Sequence, residues 1–140
     1  MIRTKGETNE RAGDIKGALL HYREAIDLYN GDFLPEDLYV PPIERKREEL
    51  RRKYLDLLFK TARIYEYRRA LSKAISYYRR AIQTDPLLES ACQRLMILLS
   101  DKGKRNEALR VYEECKKALK NEIDSEPEQL TTAIYSKILG

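Results

Sequence analysis

An all-helical fold built from paired helices is predicted for this chain of 140 residues by three observations. Glycine and proline are scarce, 6 and 5 in all, while Leu, Ala, Glu, Lys and Arg abound, a composition rich in strong helix formers. Apolar residues return every three or four positions along most of the chain, and no long alternating run interrupts them. Small residues and a tyrosine also recur three times with one internal spacing, the mark of a repeated structural unit.

The elements follow in order. Residues 1–12 are read as an N-terminal tail or a truncated first helix, and 13–140 as one domain. From Asp14 to Tyr29 the apolar residues Ile15, Ala18, Leu19, Tyr22, Ala25 and Ile26 form one helical stripe. Asn30-Gly31-Asp32 supplies a C-cap and turn, and an extended stretch follows to Val40. Pro41 and Pro42 suit the first turn of a helix, which nothing breaks from Ile43 to about Arg68. Leu71 to Thr84 forms the next, with Ala74, Tyr78 and Ala81 on one side. Asp85-Pro86 reads as an N-cap with proline at the first helical position, opening a helix through Ser100. Gly103 ends that helix, and another begins near Asn106. Ser125 and Glu128 have the spacing of a capping box for a last helix.

Ala74, Tyr78 and Ala81 reappear 34 residues later as Ala108, Tyr112 and Cys115. Ala18, Tyr22 and Ala25 share the same internal spacing 56 residues upstream, so a 22-residue insertion separates the first copy from the second. This pattern resembles the 34-residue tetratricopeptide repeat, well over 55–88, fairly over 89–122, and over 13–30 only in its second-helix half. The middle copy carries Arg69 where such repeats often have glycine. The resemblance implies a tetratricopeptide-like, right-handed helical hairpin array, with the insertion and a C-terminal extra helix as additions.

A narrower resemblance rests on Gly31-Asp32-Phe33-Leu34-Pro35, on Glu44-Arg45 with Arg47 and Leu50, on Asp85-Pro86-Leu87-Leu88-Glu89 with Arg94-Leu95-Met96, and on Gly103-Lys104-Arg105 with Ala108-Leu109 and Tyr112. In this order these stretches resemble the bacterial transcriptional activator domain of SARP-type regulators. That resemblance implies a non-catalytic regulatory and protein-interaction domain. It would mediate oligomerisation or partner contacts for a winged-helix DNA-binding domain absent from this chain. The partners it implies are that domain, a second subunit in a possible homodimer, or the transcription machinery, with DNA engaged only indirectly. The alternative is a stand-alone tetratricopeptide-like adaptor that binds a peptide or an acidic protein.

Composition narrows the classes further. No apolar run reaches membrane-spanning length, and the first twenty residues are charged rather than apolar, so neither a span nor a secretory signal is expected. Two cysteines, Cys92 and Cys115, make no disulfide framework and fit a reducing cytoplasm. A single histidine, His21, has no motif partner for catalysis, no zinc spacing is present, and Gly103-Lys104 lacks the upstream glycine of a phosphate loop. No enzyme and no cofactor is expected.

The candidate contact residues form three groups. Phe33 and Tyr39 flank the insertion loop. By repeat register, Phe59, Arg63 and Glu66, joined by Gln93 and Ile97, would line a concave groove, unless the long helix or the last helix fills it. Lys60, Arg68, Arg69, Lys73, Arg79 and Arg80 make a basic run against Glu66 alone. Such a run serves phosphates, an acidic partner, or simply a solvated surface.

Overall fold

The computed structural model describes the backbone of residues 5–29 and 41–140, and the side chains of 5–28 and 45–140. The described residues form seven helices and no strand: α1 (Lys5–Arg11), α2 (Ile15–Tyr29), α3 (Pro41–Tyr67), α4 (Leu71–Thr84), α5 (Glu89–Asp101), α6 (Arg105–Ile123) and α7 (Gln129–Leu139). The long helix expected from Ile43 to Arg68 is α3. Phe33, Tyr39 and the rest of the insertion loop lie outside the described residues.

Helices pair as hairpins, α1 with α2, α3 with α4 and α5 with α6, and each hairpin packs on the next. Three of the inter-helix turns have one construction. Gly13 (φ 81°), Arg69 (φ 61°) and Gly103 (φ 79°) are left-handed. The residue after each donates its N–H five positions back: Asp14 to Asn9 (2.8 Å), Ala70 to Tyr65 (2.9 Å), Lys104 to Leu99 (2.8 Å). This is the Schellman closure of a helix end, and the three turns are spaced like Ala18, Ala74 and Ala108.

Small residues let the helices approach. Ala18, Ala62, Ala74, Ala81, Ala91 and Ala108 are all wholly buried, and Tyr22, Tyr78 and Tyr112 fill the spaces between helices. Gly6 completes the set in α1, because a methyl group there would collide with the Tyr22 ring. The first repeat is therefore more than the second-helix half expected over 13–30. Helix α1 is its first helix, and Tyr22 Oη donates to Glu10 across the hairpin (3.3 Å) just as Tyr78 Oη does to Glu66 (2.9 Å).

Two expected caps form differently. Asp85 is the C-cap of α4, and its carboxylate accepts the Leu87 N–H (3.1 Å) in a turn, so Pro86 lies in a linker and α5 begins at Glu89. Ser125 Oγ donates to the Glu126 carbonyl and caps nothing. Helix α7 is instead capped from a distance: the Glu89 carboxylate accepts the Glu128 N–H and the Thr131 hydroxyl, each at 2.9 Å. Gln93 Nε2 adds bonds to Glu128 and to Thr131 (2.9 Å). With the Tyr112–Tyr135 stack (centroids 3.9 Å apart), this network fixes α7 over α5 and α6.

Candidate functional site

Among the described residues the repeat geometry leaves a large cleft, about 800 Å³, over the C-terminal half of α3. The end of α1 and start of α2 flank it through Glu10 and Ile15, and Arg94 of α5 stands opposite. Its apolar lining is Ile15, Phe59 and Ile64, and its floor is the buried Tyr78. Phe59 meets that tyrosine edge to face at 5.3 Å. Burial pushes the Tyr78 phenol up to about 12, and the charge of nearby Arg63 pulls the other way.

The cleft's acids are already engaged. Glu66 accepts from the Tyr78 hydroxyl and from the Arg94 guanidinium, which reaches it through both Nε and Nη2. Glu10 accepts from Tyr22. Arg63, Arg68 and Arg69 also line the cleft, and among the described residues no carboxylate forms an ion pair with them. The site is thus an apolar floor under a mouth with unpaired positive charge. Tyr67 stands at that mouth, 90% exposed.

Of the residues expected in a groove, Phe59, Arg63 and Glu66 come together here. Gln93 is buried in the network beneath α7, and Ile97 is partly buried on α5 away from the cleft lining. Helix α7 closes the C-terminal end of the stack and leaves this cleft open. Sequence reasoning missed Glu10, Ile15 and Arg94. A signal for Glu10 existed, since it precedes Glu66 by the same 56 residues that separate Ala18 from Ala74.

The basic run is divided among several tasks. Lys60 bridges Asp56 (2.9 Å) and Glu7 (3.5 Å), and Arg79 lies 3.6 Å from Glu107. Lys73 sits over the Tyr65 ring, and Arg80 over Tyr77 while donating to Tyr54 Oη (3.2 Å). Only Arg68 and Arg69 join the cleft.

Elsewhere little chemistry is assembled. Cys92 and Cys115 are buried against each other, and the hydrogen bond between them, with burial, pushes the Cys92 thiol well above its ordinary range. His21 is half-buried, 3.8 Å from Glu24. Among the described residues no cluster of His, Cys, Asp and Glu could hold a metal, and no helix is long and apolar enough to cross a membrane.

Residues 2–139 match the bacterial transcriptional activator domain, essentially the whole chain including α1. The chain belongs to that family. This bacterial transcriptional activator domain is also similar to two solved structures, described as the crystal structure of MamA and the crystal structure of MamA protein. The first is 15% identical, with a TM-score of 0.43 over 99% of this chain and 95% of that one. The second is 17% identical, with a TM-score of 0.44 over 96% and 82%. Likenesses this loose bear on neither its fold nor its function. No curated protein matches the domain.

Proposed function

We propose that this domain is a non-catalytic docking module of a bacterial transcriptional activator, and that a protein partner seats in the cleft over α3. One observation carries the reading: over α3 the stack leaves a large cleft that joins an apolar floor to unpaired arginines, while α7 closes the far end. Buried apolar anchors with a charged rim are the anatomy of protein interfaces. DNA is engaged indirectly, because the other cations of the basic run are spent on Glu7, Asp56, Glu107 and tyrosine rings. A phosphate track needs cations free along a line.

The test is genetic. Genes whose expression changes when the native gene is deleted define the readout. Arg63→Glu with Arg68→Glu, in an otherwise unaltered gene, should reproduce most of the deletion pattern while protein level and helical content stay normal. A normal expression pattern in that strain would remove the cleft from the function.

A further inference from the structure

We propose that the cleft binds an acidic peptide segment in which an aromatic or aliphatic side chain lies beside Asp or Glu, the carboxylates meeting Arg63, Arg68 and Arg69 and the apolar side chain covering Phe59 and Ile64. The proposal rests on the reading of the cleft as a docking site and names the chemistry of its occupant.

Charge complementarity comes first. Four arginines line the cleft, and only Arg94 is neutralised, by Glu66. A cationic ligand meets Glu10 as the one lining carboxylate without a cation partner among the described residues, since Glu66 is held by Tyr78 and Arg94, and it meets three unpaired arginines beside it. An anion meets three guanidinium groups whose planar forks match carboxylates. Arg63 lines the cleft together with Tyr78, near enough for its charge to act on that phenol.

Exposed ion pairs contribute little individually, so charge alone does not hold a partner here. The apolar lining supplies the second half of the recognition, and an acidic segment without an apolar residue leaves it wet. The open mouth, with Tyr67 90% exposed, favours a chain that passes through over a small molecule, whose sites enclose most of their ligand. Duplex DNA fits this cleft poorly, because its three unpaired arginines surround apolar walls instead of following a backbone.

The experiment uses the full chain and a labelled peptide of about ten residues in which Asp and Glu alternate with Phe and Leu, read by fluorescence anisotropy. Binding is expected to weaken roughly tenfold between about 0.05 M and about 0.3 M salt. Arg63→Glu and Arg68→Glu should each weaken it by about tenfold or more. Lys116→Glu, exposed on α6 and outside the cleft, should leave it unchanged. Replacing Phe and Leu of the peptide by Ser should abolish binding, and a Lys/Phe peptide should not bind.

Circular dichroism confirms that each variant is folded. Three results overturn the proposal: no binding of the acidic peptide to the folded protein, equal binding by Arg63→Glu, or preference for duplex DNA or for a small aromatic carboxylate. If the Arg63/Arg68 strain loses its expression pattern while the acidic peptide never binds, the docking site stands and the acidic partner alone is refuted. If the strain behaves normally, the docking site itself fails.

Discussion

Arg69 closes its turn at a φ of 61° where Gly13 and Gly103 close theirs with no side chain to strain. A residue with a Cβ in this region costs about 1–2 kcal/mol, partly offset by the smaller entropy it loses on folding. Arg69→Gly should therefore stabilise the protein by about 0.5–1 kcal/mol, raising the melting temperature by roughly 2–4 °C. A thermal melt followed by circular dichroism measures it, and a lower melting temperature would mean the arginine side chain outweighs its backbone strain. The turn itself was legible: Arg69 stands one repeat before Gly103. That the arginine also lines a cleft was not, because cleft membership depends on Ile15 and Arg94, which come from other hairpins.

Helices α2 to α6 could be read from apolar periodicity because each buries a stripe against its chain neighbours. The two misread caps have different causes: the Asp85 carboxylate closes its own turn onto the Leu87 N–H, and Ser125 is displaced by a distant residue. Asp85 and Ser125 are good local cap formers, but the position that caps α7 is held by Glu89, 39 residues before Glu128, a partner that no local spacing displays. In the sequence α1 stays open between a tail and a truncated first helix because it is short, and the signal that decides it is the repetition of Gly6 and Glu10 as Ala62 and Glu66. The distant cap makes an element-scale prediction. Glu89→Ala leaves the Glu128 N–H and the Thr131 hydroxyl without their acceptor, which costs about 1–3 kcal/mol. Hydrogen exchange should show α7 losing protection while α3 and α4 keep theirs. Unchanged protection in α7 would mean that the Gln93 bonds and the Tyr112–Tyr135 stack hold it without Glu89.

Across the whole molecule, the tyrosines between helices tie folding to pH on the alkaline side. Burial raises the Tyr78 phenol to about 12, and burial with the adjacent Glu10 raises Tyr22 as well. A raised folded value means that the neutral phenol is favoured in the fold. Its contribution is complete below the unfolded value of about 10 and is lost as pH rises through 12. Tyrosinate absorbance should therefore rise in two stages, the later one coinciding with loss of helical signal. A single stage near pH 10 with helicity intact would contradict this. The odd-numbered helices are also joined by polar ties, Glu7–Lys60 between α1 and α3, Glu66–Arg94 between α3 and α5, and the Glu89–Thr131 bond between α5 and α7. Along that edge the stack behaves as a spring of three links in series, so its bending stiffness is set by its softest link. The first two links are charge pairs, Glu7–Lys60 about one-third exposed and Glu66–Arg94 more sheltered on its Glu66 side, so dissolved salt softens the first more than the second. Raising the salt concentration is thus expected to loosen the edge of the stack beside the cleft, from the Glu7–Lys60 end first.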